Sequence, residues 1–530
     1  VTRSPRIAFA LVLVATACNL HPARETRLER QSEVTSTICV PPPPAVDVLL
    51  VVDDSASMAD HLPALVRALD IWGQIYDDEV RRLDYRIAVT TADVRQPWCD
   101  SVAEDGAFVA TSCRARLDDF VTDADANERI LDGAIDLRAL CTDACAHATI
   151  STLPTAIEPD GERRGRPWIE RHEGVLNLAA DVSASEALTC LGLVGVSGCA
   201  YESPLEAASL ALQRAQDPRD PAFGFLRREA ALFVLFVGDE SDCSVRPEHA
   251  AIFDPDGDGA LWADGATAPS SAVCWNAGMR CTGAGDPYDR CDPLAIDASG
   301  VEADDDAAVL QPLSKYIEQL RAIELDKQHA ITSDAQRVFV RVLGGVRGID
   351  GADVFADALD PIEQASLGIG PGCTSEGARA YPPGRTRAVA EAFPELDQPT
   401  AYGLCESDFA AVPACVPGQW PPPRRHCVEA CVADADPSTD ALEIDCVMTE
   451  IRTDDGATRT IPTCDGDELP PGADACVRWT TGDELEEWCS DAGFDVGYRI
   501  LRAVPIAEGS CLTATCTASQ QPFLDCPGLP

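Results

Sequence analysis

Apolar residues in this chain fall into two patterns: short unbroken runs, and runs spaced by three or four positions. The run VDVLLVV, residues 46–52, is interrupted only by Asp47 and predicts a buried strand. From His61, HLPALVRALDIWGQIY puts Leu62, Leu65, Val66, Leu69 and Trp72 on one face of a helix. DYRIAVTT, residues 84–91, predicts a second buried strand. ESPLEAASLALQRA, from Glu202, predicts another helix, with Pro204 in its first turn. AALFVLFVGD, residues 230–239, is the most apolar strand of the chain, and RVFVRVLGGV, residues 337–346, is a further one. Short apolar strands separated by helices predict an α/β fold: a doubly wound, mostly parallel sheet with helices on both faces.

The alternation is not continuous. Stretches rich in Asp, Gly and Cys at about 95–185 and 240–330 read as insertions into a domain spanning 46–417. After that the apolar runs shorten and turn residues multiply. Residues 418–530 carry nine cysteines and predict a smaller, cysteine-rich, β-rich C-terminal domain. Residues 18–45 are mixed and polar and include Pro41 to Pro44, which predicts an extended tether.

Charge narrows the partners. The chain has 41 basic and 88 acidic residues, a net charge of −47. Nucleic acid is excluded as a partner, because its affinity comes from Lys and Arg neutralising phosphates. Electrostatic docking on anionic lipid is disfavoured for the same reason. The 24 cysteines are spread out rather than grouped with the seven histidines. That predicts disulfides in an oxidising compartment rather than zinc modules. The segment CTDACAH, residues 141–147, holds zinc-ligand residue types, but the same reasoning assigns its cysteines to disulfides. Local pairs such as Cys190–Cys199 and Cys99–Cys113 fit the spacing, which does not by itself fix connectivity.

At the N-terminus, Arg3 and Arg6 precede IAFALVLVATA, residues 7–17, an apolar stretch too short to span a bilayer. Ala15-Thr16-Ala17-Cys18 resembles the lipobox of bacterial lipoproteins. The resemblance implies a signal peptide at 1–17 and lipidation of Cys18. It also implies export to the cell envelope and membrane attachment by that N-terminal anchor. Asn19 is not the aspartate associated with inner-membrane retention in some lipoproteins, so the outer membrane or cell surface is expected.

The first strand runs directly into Asp53-Asp54-Ser55-Ala56-Ser57-Met58, a D-x-S-x-S pattern. It stands at the strand's carboxyl end, where open α/β sheets bind ligands. One carboxylate and two hydroxyls are hard oxygen donors that suit a magnesium-like cation. Two neutral hydroxyls leave positive charge on the ion, available to a carboxylate from outside.

The strand at 46–52, this motif and the later strand ending at Asp239 together resemble the von Willebrand factor type A (VWA) domain and its metal-ion-dependent adhesion site (MIDAS). The resemblance implies a Mg2+ or Mn2+ site built from Asp53, Ser55, Ser57 and Asp239, plus a threonine from a loop before a helix. Here that loop is Gly195-Val196-Ser197-Gly198-Cys199, with no threonine. Val196 cannot ligate, so Ser197 is expected to supply the hydroxyl, with Ser203 as the substitute. DYRIAVTTADV, FLRREAALFVLFVGDESDCS and PGCTSEGARAYPPGRTR extend the likeness to cysteine-rich bacterial lipoproteins built on this domain, over roughly residues 46–417.

Asp254-Pro255-Asp256-Gly257-Asp258-Gly259 fits the opening of a calcium loop. The twelfth position is Gly265 where an EF-hand needs glutamate, so an isolated Ca2+ loop at Asp254, Asp256 and Asp258 stands against a solvated acidic turn. No G-x-S-x-G, H-E-x-x-H or phosphate loop is present, and no catalytic constellation is found. The expected function is adhesion: a lipid-anchored envelope protein binding a protein or other macromolecule through the metal. A structural scaffold with a degenerate metal site is the alternative. A metal-assisted hydrolase is the third reading, and it lacks a clear base beside Asp53 other than Asp54 and Glu240.

Overall fold

The computed structural model describes residues 33–526 apart from 40–44, 77–82, 122–134, 155–160, 332–335, 349–352, 395–398, 407–426, 452–456, 503–510 and shorter gaps, among them 258 and 264. Cys18 and the signal segment lie outside the described residues, as does Asp258. No helix among the described residues is long and apolar enough to cross a membrane. The chain divides into two compact units, residues 43–421 and residues 1–42 with 422–530.

The larger unit is mixed α/β, built on a seven-stranded, mostly parallel sheet. Its strands are β1 (Ala45–Val52), β2 (Asp84–Thr91), β3 (Ile169–His172), β4 (Val175–Leu176), β5 (Ala231–Val237), β6 (Val338–Gly344) and β7 (Ala401–Gly403). They lie in the spatial order β7-β6-β5-β1-β2-β3-β4. Five neighbouring strands, β7 to β2, run parallel, and β3 and β4 close one edge antiparallel.

Strand β1 is buried on both sides, and its side chains alternate between two apolar clusters. Val48, Leu50 and Val52 pack with α1 (Leu62–Tyr76) and α2 (Ala184–Gly192). Leu49 and Val51 pack with α3 (Pro204–Arg214), α4 (Leu313–Ile331) and α5 (Gly384–Glu391). The two-residue period of a strand makes this division automatic. Asp47 is the one polar interruption of the run, and its role is structural. It is fully buried, and its carboxylate accepts hydrogen bonds from Arg227 N and Nε, both at 2.7 Å, with Lys327 Nζ at 3.4 Å.

Two expected insertions contribute to this core. The 95–185 stretch supplies β3 and β4 at the sheet edge, and the 240–330 stretch supplies most of α4, whose Tyr316, Leu320 and Ile323 are core residues. The proposed tether is also corrected in part. Glu33–Cys39 is a strand paired antiparallel with Cys511–Thr517, in a four-stranded sheet with Cys446–Ile451 and Thr458–Ile461. Ala475–Thr481 and Val496–Arg502 form a second antiparallel pair in the smaller unit.

Ten disulfides lie among the described residues, each within one unit. In the larger unit they join Cys99–Cys199, Cys113–Cys141, Cys145–Cys190, Cys243–Cys274, Cys281–Cys291 and Cys373–Cys405. In the smaller they join Cys427–Cys489, Cys431–Cys526, Cys446–Cys516 and Cys464–Cys476. Cys141 and Cys145 of the zinc-like segment are therefore both in disulfides. The local pairs Cys190–Cys199 and Cys99–Cys113 are wrong: folding brings Cys199 to Cys99 across 100 residues, and Cys190 to Cys145 instead.

Candidate metal centre

The carboxyl ends of β1 and β5 lie side by side, and an aspartate follows each within two residues, Asp53 and Asp239. Asp53 N donates to Val237 O at 2.8 Å, which extends the ladder by one residue and fixes Asp53 against β5. The chain then turns sharply, with Ser55 N donating to Asp53 Oδ1 at 2.8 Å. That turn brings both serines over the strand end: Ser55 Oγ and Ser57 Oγ stand 2.8 Å apart. Ser57 Oγ donates to Asp239 Oδ1 at 3.0 Å and reaches Glu240 Oε1 at 3.5 Å. Four residues predicted as ligands, Asp53, Ser55, Ser57 and Asp239, thus join into one contact set.

Gly238 is what permits the close approach of the two strand ends. A Cβ there would fall 2.9 Å from Asp53 Oδ2. Asp239 is held from the other side, its carbonyl accepting from Tyr381 N at 2.8 Å. His61 lies 3.8 Å from Asp239 Oδ2 and donates through Nε2 to Arg379 O at 3.0 Å. Burial lowers the pKa of His61, so it stands there as a neutral ring rather than as a counter-ion.

The electrostatics are lopsided. Asp53, Asp54, Glu202 and Asp239 are all buried. Burial is the first cause holding their pKa values above the ordinary carboxylate range, and mutual repulsion adds for Asp54, Glu202 and Asp239. Glu240 is pushed up to about 8, by burial first and by Asp53 second. Among the described residues no Arg or Lys pairs with any of the five. Both oxygens of Glu202 are buried with no N–H or hydroxyl donor. Buried carboxylates without partners are costly, and a divalent cation is the counter-charge that oxygen donors of this kind accept. A cleft of 620 Å³ opens over the serines and is lined by Ser55, Ser57, Tyr201, Asp239, Glu240 and Arg379.

Ser197 does not join the group. It is exposed, while Val196 before it is buried and bonded through its N–H to Asp119 O at 2.7 Å. The φ of +108° at Gly195 sets up this turn. Ser203 is committed elsewhere, its Oγ donating to Cys243 O at 2.9 Å. Glu202 takes the place beside Asp53, the two lining a 20 Å³ cavity together with Glu240. Sequence reading missed Glu202 as a site residue. Its signal was an acidic residue just ahead of a Pro-started helix that faces the motif.

In the proposed calcium loop, Asp254 Oδ1 accepts from Asp256 N at 2.9 Å, and both residues are exposed. The carboxylate is thus occupied in making the turn. The one group of three Cys, His or acidic side chains among the described residues with ligand atoms within 4.8 Å of each other is Cys431, Asp495 and Cys526. Its two sulfurs are already joined as a disulfide, so it offers no thiolate to a metal.

No family model and no curated protein matches the chain. Among solved structures it is similar to the pilus adhesin SpaC from Lactobacillus rhamnosus GG. The identity is 9%, over 91% of this chain and 41% of that one, with a TM-score of 0.27. The open conformation of the same adhesin gives 9%, 91%, 40% and 0.26. The chain therefore spans less than half of the adhesin's length, and so loose a superposition carries no weight for site or function.

Proposed function

We propose that the larger unit is a doubly wound domain of the VWA type that binds a partner through a metal. Asp53, Ser55, Ser57 and Asp239 hold Mg2+ or Mn2+ at a MIDAS-type site, and the cleft above admits a carboxylate from a protein or other macromolecule. The observation that carries this reading is the contact set of those four side chains, three of which, Ser55, Ser57 and Asp239, line an open cleft, amid buried carboxylates that lack a cationic partner. Hydroxyl-rich ligation leaves the ion electrophilic, which suits capture of an acidic group rather than hydrolysis. Lipidation at Cys18 would attach the protein to the cell envelope, and the many disulfides fit an oxidising compartment.

Calorimetric titration of Mg2+ and Mn2+ into the purified chain, with Asp53→Ala as control, tests it. A Mg2+ or Mn2+ uptake step in the wild type that the variant lacks is expected, together with chelator-sensitive partner capture from envelope extract. Equal uptake by both proteins, or capture indifferent to chelator, overturns it. A scaffold with a degenerate site is the second reading, favoured by Val196, whose buried side chain stands in the loop where the resemblance calls for a hydroxyl. A silent titration selects it.

A further inference from the structure

Behind Asp53 lies a second group of oxygens that the site above does not use. Asp54 is 8 % exposed and Asp93 is 1 % exposed, and Oδ1 of each is buried without a hydrogen-bond partner. The Ser101 hydroxyl is likewise buried, within reach of the Asp93 carboxylate. Two unsatisfied carboxylate oxygens beside a buried hydroxyl are unusual, since nearly all buried polar groups find partners.

The group is held from several sides. Asp93 Oδ2 accepts from Cys199 N at 3.3 Å, and the Asp54 carbonyl accepts from Gly198 N at 2.8 Å. The Cys99–Cys199 bridge ties the loop carrying Asp93 and Ser101 to the loop carrying Gly198. Gly198 leaves room for the Asp54 carboxylate, since a Cβ there would meet its Oδ1 at 2.5 Å. Glu104 stands at the edge, its Oε2 accepting from Thr91 Oγ1 at 2.9 Å. Burial first, and repulsion from Asp93 and Glu104 after it, raises the pKa of Asp54, so its carboxylate form lacks a counter-charge.

The geometry points to a second divalent-cation site, with Asp54 Oδ1, Asp93 Oδ1 and Ser101 Oγ as its side-chain ligands. Two carboxylates match the charge of the ion. An irregular set of oxygens from two bridged loops suits Ca2+, whose shell is flexible and admits carbonyls and waters, better than Mg2+, which demands near-ideal octahedral geometry. Asp54 follows Asp53 directly, and its carboxylate lies against Gly198 rather than Gly238, so the two sites would share a loop but no ligand. The site stands on residues independent of the Asp239 site.

Native mass spectrometry and calorimetry on the full chain, with Ca2+ and with Mg2+, test it. The wild type is expected to take up two ions, Asp93→Asn one and Asp239→Asn one. Ser101→Ala, which leaves the charge intact, is expected to weaken the Ca2+ step at least ~10-fold. If Asp239→Asn loses nothing while Asp93→Asn loses an ion, the second site stands and the first reading fails. If Asp93→Asn or Ser101→Ala binds as the wild type does, in number and affinity, the second site is overturned. Should Asp93→Asn not fold, the Ser101→Ala affinity alone decides.

Discussion

The carboxylates around Asp53 should make the metal-free protein less stable as pH rises, against the usual trend for acidic groups. Glu240 gives the magnitude. Its pKa is about 8 in the folded chain against 4.5 for an unperturbed glutamate. Between those values the folded state holds a proton that the unfolded state has released, so the stability of the folded state falls with rising pH. The contribution is whole below the unfolded value and is lost as pH climbs through the folded one. His61 works the other way: its depressed pKa costs stability only on the acid side of about 6.5, the unperturbed value for histidine. A window from about pH 6.5 to about pH 8.5 therefore isolates the carboxylate effect, and across it Glu240 alone accounts for ~2 kcal/mol, at ~1.4 kcal/mol per pH unit. Glu202, Asp54 and Asp239 act in the same direction. For a unit spanning residues 43–421 the expected drop in thermal midpoint is about 2–3 °C in excess chelator. Mg2+ at ~100 times its dissociation constant should return ~2.7 kcal/mol at the upper pH, and Glu240→Gln should flatten the slope. Calorimetric melting with chelator and with Mg2+ reads both effects. A chelated protein equally stable at both pH values, and indifferent to Mg2+, would refute the claim that these carboxylates lack a counter-charge.

Three further outcomes follow. Asp47→Ala strips the buried partner from Arg227 and Lys327, so denaturant melts should show a loss of about 3–5 kcal/mol, with the metal titration of the surviving folded protein unchanged. Gly238→Ala places a methyl 2.9 Å from Asp53 Oδ2; metal affinity should fall at least ~10-fold in calorimetry while far-ultraviolet dichroism stays native. Glu202→Gln removes a charge buried beside Asp53, and it should raise the midpoint of the chelated protein at the upper pH while weakening metal binding. A lowered midpoint there would place Glu202 in a structural role instead.

What the sequence revealed and what it hid divide along a physical line. Strand β2 was legible to the residue, because its apolar core Ile87-Ala88-Val89 is flanked by β-branched and aromatic residues that stay buried up to Thr91. The D-x-S-x-S motif was legible because its geometry is local: Asp53 bonds the backbone two residues on, and Ser55 and Ser57 follow from that turn. Asp239 is 182 residues from Ser57, yet it could be found because a strand end is a fixed place in a parallel sheet. Glu202, Asp93 and Ser101 sit in loops, where no period reports direction. The Ser197 expectation failed for that reason: the turn at Gly195 buries Val196 and sends the serine outward.

Glu33–Cys39 shows the same limit on the strand side. EVTSTIC is too polar to declare itself a strand, with Glu33, Thr35 and Thr37 all exposed. What makes it one is the edge offered by Cys511–Thr517, which satisfies its backbone groups from nearly 480 residues away. The disulfides extend the point to the site itself. Cys99 and Cys199 are unremarkable in spacing, yet their bridge joins the two loops that carry Asp93 and Gly198. A local pairing of either cysteine would leave those loops free to part. Burying carboxylates against one another needs walls that cannot relax, and a covalent tie between loops supplies that restraint where no apolar core reaches. The oxidising compartment expected from the cysteine count is then a condition for the charge cluster, and not only for the fold.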